Sequence, residues 1–564
     1  MKNKYILFGI SCLAAALSAC SDDLTFSPDY EPVLKAKNET ATVNAATTYQ
    51  TIDGFASSDA WTMDYVGKYW SDNNKEGIAK LLFSQEVKNN QPEGIGLSMW
   101  RVNLGGGTAE QGEASNIASK VNRAECFLNA DGTYTWGKCS GQQYFMQKAK
   151  EYGCNQFVLF SNTPPVYYTK NGKGYSDNGW YANLKNTNDD GVDGYGLFAD
   201  YMATVARHFV DEGYNIPFIS PLNEPQYDWG PGSDGKAAQE GCGWMSWEIA
   251  NLAREMDKKL TDKNLEGTNI LIAESGSWKS VYGFDGQGQK SQVILQFFED
   301  KAGEYYIGNL KHMQPNVVCG HSYWVDRTWN QLQETRTELR KAAEKNNLKV
   351  YQTEWSMLHN AGETMYEDYD SFDDATYMDL ALSMAKVLHH DLATANVSSW
   401  SYWTTASVEV YSQKSRFYMI RLIPGDGDYG DIALDGTYSA SKNLWVLGNY
   451  SLFVRPGYKR VDLNIPNTLY KSNTYQNFIR FIAGHRPLLP LISMEYIRSD
   501  NQLLPSSLLF QKLYIDELIS QSYLLFLPVQ YPCEWFLLPC WCILLPVYPV
   551  REKCRPNRKT YVNH

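Results

Sequence analysis

From residue 51 onward, short apolar runs alternate with longer stretches in which apolar residues recur every three or four positions. The short runs read as strands: "IDGFASS" (52–58), "GLSMWRVNL" (96–104), "QFVLFSN" (156–162), "FISPLNEP" (218–225), "NILIAESGSW" (269–278), "NVVCGHSYW" (316–324), "KVYQTEWSM" (349–357) and "NVSSWSYWTT" (396–405). The longer stretches read as amphipathic helices, among them "NNKEGIAKLLFSQ", "LFADYMATVARHFVDEGY" and "QLQETRTELRKAAEKNN", with "SKNLWVLGNYSLFV" (441–454) after the last strand; the period is helical. Eight strands alternating with helices predict an α/β fold, a closed (β/α)8 barrel of the TIM type over residues 51–456.

Such a barrel gathers its chemistry at the C-terminal ends of its strands. In strand order those ends read Asp59 and Trp61, Arg101 and Asn103, Asn162 and Thr163, Asn223 and Glu224, Glu274, His321 and Tyr323, Glu354, then Trp400 and Trp403. A buried polar residue with a local partner accounts for any single one. A ring of polar and aromatic side chains converging on one mouth predicts a site. The formal net charge of −12 leaves no basic footprint for nucleic acid. The 17 Trp and 39 Tyr suit stacking on uncharged sugar rings as well as packing a large core.

The N-terminus predicts export. "MKNK" is a basic leader and "YILFGISCLAAALSA" an apolar run too short for a comfortable membrane span, so residues 1–19 read as a signal peptide. "LSAC" resembles a bacterial lipobox with Cys20 lipidated, and the acidic "SDD" after it suits display on the outer face of an outer membrane. Residues 20–40 are a polar tether. Cys126 and Cys139 flank a hairpin turn at Asp131-Gly132; a disulfide and two unpaired thiols are both open there. His389-His390 falls on a helix, expected at the surface. No metal-ligand spacing occurs among the His and Cys residues, so neither metal nor cofactor is expected.

Two strand-end acids carry the chemistry. Cleaving a glycosidic bond with retention needs one carboxylic acid to protonate the leaving oxygen and a carboxylate about 5–5.5 Å away to attack the anomeric carbon. Strands four and seven present Glu224 and Glu354 for these roles. Asn223 is placed to bond a sugar 2-hydroxyl, and Pro225 stops the strand. Tyr323 can donate to Glu354 and Arg101 can hold it ionised, while proximity to Glu354 keeps Glu224 protonated.

"IDGFASSDAW", "GIGLSMWRVNLGGGTAEQG", "FSNTPPVYYTKNG", "ISPLNEPQYDW", "QEGCGW", "HSYW", "QTEWSML" and "WSYWTTAS" together resemble glycoside hydrolase family 30 of clan A, from about residue 40 to about 465. The resemblance implies Glu224 as acid/base and Glu354 as nucleophile. It implies Asp59, Trp61, Arg101, Asn223, His321, Tyr323 and Trp403 around the cleaved sugar; Trp229, on a mouth loop, is a further candidate for stacking. The motifs look most like those of endo-β-1,6-galactanases, which trim arabinogalactan side chains; β-1,6-glucanase and glucuronoxylanase are the alternatives within the family. No uronate-gripping pocket is evident in the loops after strands seven and eight. The alternative of another class is a non-catalytic surface glycan-binding lipoprotein. The chain is expected to act as a monomer on a polysaccharide, held to lipid through Cys20.

The family also implies a side β-sandwich, begun by residues 41–50 and resumed at 457–466. From 467 to 564 the pattern fails. That stretch holds nine Pro, four Cys and one Gly, Gly484, with no consistent period and no turn chemistry. It reads as frame-shifted, leaving the sandwich largely missing.

Overall fold

The computed structural model describes residues 42–464, apart from 90, 178–179 and 360–370, together with Tyr496-Ile497. The signal peptide, Cys20, the tether and all but that dipeptide of the 467–564 tail lie outside the described residues.

All eight strands form, each shorter than its apolar run: β1 (Gly54–Ser57), β2 (Trp100–Asn103), β3 (Phe157–Phe160), β4 (Phe218–Ser220), β5 (Ile272–Ser275, preceded by the short piece Asn269–Ile270), β6 (Val317–His321), β7 (Lys349–Glu354) and β8 (Ser399–Tyr402). Neighbours pair in parallel from β2 through β8 and β8 pairs back onto β1. A bridge from Ser58 to Arg101 joins β1 to β2 and closes the barrel. The chain therefore has the (β/α)8 architecture.

Helices α1 (Asp72–Phe83), α2 (Ser140–Glu151), α3 (Gly194–Asp211), α4 (Ser246–Asp262), α5 (Trp329–Lys345), α6 (Tyr377–Ala393) and α7 (Lys442–Ser451) form the outer ring. Between β5 and β6 the crossover holds a short helix, Trp278–Tyr282, one π-helical turn, Leu295–Glu299, and a 3-10 turn, Lys311–Met313.

The barrel interior is divided along its axis. Toward the N-terminal side Ala56, Met99, Val158, Phe218, Leu271, Val317, Cys319 and Tyr351 form a buried apolar cluster of their own. Asp53 closes its lower edge, accepting from Tyr351 Oη at 2.7 Å and pairing with Lys349 at 2.7 Å. This plug leaves the opposite end for polar groups.

Two expectations change, and one left open is decided. Trp400 does not face the mouth: it is fully buried and its Nε1 donates to Asp391 at 2.9 Å. Asp391, on α6, also accepts from Trp278, Ser322 and Arg336, so Trp400 belongs to the helix–strand layer, one pleat out of phase with Trp403. His390 is buried and His389 half-buried, because that face of α6 packs inward. Cys126 and Cys139 are both buried free thiols. The hairpin between them does form, with Leu128 bridged to Tyr134, but Cys126 Sγ donates to Tyr201 Oη at 3.4 Å instead.

Outside the barrel, Thr42–Thr51 pairs antiparallel with Lys459–Asn464, and Tyr496-Ile497 adds a short third strand. The guanidinium of Arg460 lies 3.8 Å over the Tyr49 ring and pins this sheet.

Candidate active site

Glu224 follows β4 and Glu274 lies within β5, both with left-handed backbone, at φ 41° and 53°. That conformation is rare for a side-chain-bearing residue and less favourable still before proline. It is held by three backbone contacts: Glu224 N donates to the Glu274 carbonyl at 2.9 Å, and the Glu224 carbonyl accepts from Tyr227 N at 3.1 Å and Trp229 Nε1 at 3.2 Å. The turn aims the carboxyl across the mouth instead of along the strand. Strained backbone kept in place by its surroundings is a mark of a working site.

Across the mouth, Glu354 ends β7. Arg101 Nη1 donates to Glu354 Oε2 at 2.8 Å and Tyr323 Oη to Oε1 at 3.1 Å. Burial pushes the Glu354 pKa up, and His321 and Arg101 pull against it. His321 Nδ1 lies 2.9 Å from Glu224 Oε1 and 3.7 Å from Glu354 Oε1, while Nε2 lies 3.1 Å from Glu274 Oε2. Burial alone would deprotonate this imidazole; the surrounding carboxylates, Glu354 foremost, instead raise its pKa to about 10. With carboxylates at both nitrogens, the charged form donates from each. Asn223 Oδ1 faces Arg101 Nη2 at 3.4 Å, at the limit of a hydrogen bond.

Glu274 was legible in the sequence as a strand end but not as a member of this network. It has no exposed surface, pairs with Arg101 at 3.6 Å, and accepts from His321 and the Thr353 hydroxyl. Burial raises its pKa; Arg101 and His321 outweigh that and bring it to about 2.

The remaining candidates divide. Trp61 and Trp403 meet edge to face, ring centroids 5.2 Å apart, each half-buried, and Trp403 also abuts Phe160. Asp59 is fully buried: Oδ1 accepts from Asn103 N and Oδ2 from Gln142 Nε2, each at 2.8 Å. Burial outweighs both donors and lifts its pKa to about 7. Trp229 is half-buried, committed through its indole N–H to the Glu224 carbonyl and laid on Gly241, where a Cβ would come within 2.6 Å of the ring. Tyr227 is the aromatic that the sequence reading missed. Its ring is 39% exposed and lies 5.3 Å from Trp229 and 5.7 Å from Trp324; its place three residues after a strand-end Glu was the available signal.

Glu240 was also unforeseen. Buried in the "QEGC" loop after β4, it accepts from Gly106 N and, at 2.5 Å, Thr108 Oγ1 in the "GGGT" loop after β2. One carboxyl thus joins two mouth loops.

One donor atom each from Glu224, His321 and Glu354 falls within 4.8 Å of the others. A guanidinium and an imidazolium already sit among these oxygens and would repel a dication, so the set fits a charge-compensated acid pair better than a metal site.

The family model of O-glycosyl hydrolase family 30 matches residues 38–417. The chain belongs to O-glycosyl hydrolase family 30. It is an enzyme of that class, and its barrel with a separate outer sheet matches the architecture of solved family structures. The structure of a conserved exported protein from Bacteroides fragilis is 32% identical to this chain and superposes with a TM-score of 0.68, covering 76% of this chain and 83% of that one. The catalytic domain of the family 30 xylanase C from Talaromyces cellulolyticus shares the fold at 21% identity and TM-score 0.50, covering 76% of this chain and 81% of that one. An endo-β-1,6-galactanase from Hypocrea rufa is 25% identical over 254 residues, 42% of this chain, and the match spans about half of that relative, 49%. No helix among the described residues is long and apolar enough to cross a membrane.

Proposed function

We propose that this hydrolase cleaves β-1,6-linked galactan with retention of anomeric configuration. The observation that carries the reading is the short span between carboxylate oxygens of Glu224 and Glu354, within 4.8 Å. An attacking water would need a gap of about 6.5–9.5 Å between the two groups. Glu354, held by Arg101 and Tyr323, attacks the anomeric carbon as the Glu224 proton passes to the leaving oxygen. Water, deprotonated by Glu224, then releases the glycosyl ester and restores both groups. Asn223 takes the 2-hydroxyl, and Trp61 and Trp403 bracket the sugar.

Galactan is favoured over a uronate-bearing xylan by charge. Residues 355–376, after β7, contain neither Lys nor Arg. In the loop after β8, Arg416 donates to the Met357 and His359 carbonyls. Lys414 donates to the Asp373 and Ala375 carbonyls, and Arg421 pairs with Glu409 and Asp428. The similarity to a fungal galactanase points the same way. β-1,6-Glucan, which differs at one hydroxyl, is the closest rival substrate.

Proton NMR of the first-formed product from β-1,6-galactan should show the β-anomer; the α-anomer would overturn retention. Glu354→Gln should abolish turnover while the chain still folds to the same far-ultraviolet circular dichroism spectrum, and EDTA should leave activity unchanged. A glycan-binding protein without catalysis would be untouched by that substitution. We also propose that Cys20 anchors the chain to an outer membrane. Cys20→Ser should move it from the membrane to the soluble fraction, and a variant that stays bound would refute the anchor.

A further inference from the structure

Glu240 is fully buried and stands where three mouth loops lock together. Its carboxylate accepts from Gly106 N at 3.1 Å and Thr108 Oγ1 at 2.5 Å, both in the loop after β2. The next residue, Gly241, donates its N–H to the Gly174 carbonyl at 2.9 Å, in the loop after β3. The joint has no slack. A Cβ on Gly106 would stand 2.6 Å from Thr163 Cγ2, and one on Gly174 would stand 2.5 Å from Thr108 Cγ2 and 3.3 Å from Glu240 Cγ.

The joint leads to the acid of the pair. Trp229 lies on Gly241, where an added Cβ would meet its Cγ, Cδ2 and Cβ at 2.6, 2.7 and 3.1 Å. Contact this close reaches the stem of the side chain, so an added atom must displace the whole ring. The indole N–H in turn donates to the Glu224 carbonyl at 3.2 Å, on the same oxygen that accepts from Tyr227 N at 3.1 Å. These bonds hold a φ of 41° at Glu224, a backbone that a side-chain-bearing residue keeps only where its surroundings impose it. Moving a reacting group by about 1 Å can cost about 10²-fold in rate.

We propose that Glu240 and Gly241 are positioning residues for Glu224: by seating Trp229 they hold the turn that aims the Glu224 carboxyl, and with it the delivery of the proton. The inference rests on the acid/base reading of Glu224 and not on the identity of the sugar.

The test uses the 2,4-dinitrophenyl and phenyl glycosides of β-1,6-galactobiose. Dinitrophenolate departs without a proton, whereas the phenyl leaving group needs one from the acid. The variants are Glu240→Ala, Gly241→Ala and Trp229→Phe, the last keeping a ring but losing the N–H. Each should lower kcat/KM on the phenyl glycoside by about ten- to hundred-fold and stay within about two-fold of wild type on the dinitrophenyl glycoside. Azide attacks the glycosyl-enzyme without needing a base. It should raise kcat of the variants on the dinitrophenyl glycoside and yield the β-glycosyl azide, while leaving wild type unchanged. Combining Gly241→Ala with Trp229→Phe should add nothing to the larger single loss, because both act through one bond. Equal losses on the two glycosides, or additive losses in the pair, confine the joint to stability and overturn the inference. Where Gly241→Ala fails to fold, Glu240→Gln combined with Trp229→Phe completes the same cycle. Glu224→Gln is the control: equal losses there overturn the acid/base reading and the inference with it. Wild type inert on the galacto pair but active on the corresponding gluco pair refutes the galactan reading alone, and the same comparison on the gluco pair then decides the positioning role.

Discussion

At the scale of single residues, Glu274 is the hinge of the charge balance. Arg101 and His321 bring two positive charges into a site with almost no exposed surface, and Glu274 and Glu354 answer them. Removing one member of a buried ionic network costs about 3–5 kcal/mol because its partners stay buried and unpaired, so Glu274→Gln should destabilise by that order. Glu274 has a folded pKa lowered to about 2. Its stabilisation is therefore present above its ordinary range near 4.5 and is lost as pH falls from there through 2; the variant should lack that acid-side loss. A purely structural brace would do no more. A positioning role predicts in addition that His321, short of one carboxylate, loses its proton at lower pH, and that the alkaline limb of kcat/KM moves down with it. An unmoved limb would confine Glu274 to stability.

At the scale of elements, loops with little room to give hold the mouth. A Cβ on Gly276, just after β5, would stand 2.9 Å from Glu224 Oε1 and 3.1 Å from its Cδ. Only the end of a side chain must yield, so Gly276→Ala should leave the thermal midpoint nearly unchanged while kcat falls about ten-fold or more, a cost of about 1.4 kcal/mol to the transition state; a loss of folding without loss of kcat would refute this. Burial lifts the pKa values of Asp59 and Glu240 to about 7. Each therefore takes up a proton on folding between its ordinary range and pH 7, and stability falls as pH rises through that window, by at most about 1.4 kcal/mol per pH unit for each group. Asp59→Asn with Glu240→Gln should flatten the slope between pH 5 and 7 in chemical denaturation; an unchanged slope would show that neither group titrates there. The barrel was legible because its strands, covered on both faces, appear as apolar runs. The β5–β6 crossover was not, because its short helix, its π-helical turn and its 3-10 turn each carry no helical period long enough to read. The strand ends gave Glu224, Glu354, Arg101 and Tyr323. They did not give Glu240 or the exposed Tyr227, which lie in loops that only the closed barrel brings to the mouth. Nor did a helical pattern show which face of α6 turns His390 inward.

At the scale of the whole molecule, the field is negative. The formal net charge is −12. Around β7 and β8 the described acids Asp373, Asp374, Glu409, Asp426, Asp428, Asp431 and Asp435 outnumber the cations: Arg421 pairs with Glu409 and Asp428, Lys120 with Asp431, and Lys414 and Arg416 donate to backbone carbonyls. A neutral galactan feels this field little. A galactan carrying uronate groups approaches against it, more strongly at low ionic strength, where screening extends to about 30 Å at 0.01 M against about 10 Å at 0.1 M. Like-signed rims act mainly on encounter, so the effect should appear in kcat/KM and leave kcat alone. On a uronate-bearing galactan, kcat/KM should rise several-fold as salt increases over that range. On the same polymer with its carboxyl groups reduced it should stay flat, and the two curves should converge at high salt. The opposite slope, with the acidic polymer favoured at low salt, would mean that a cation governs entry.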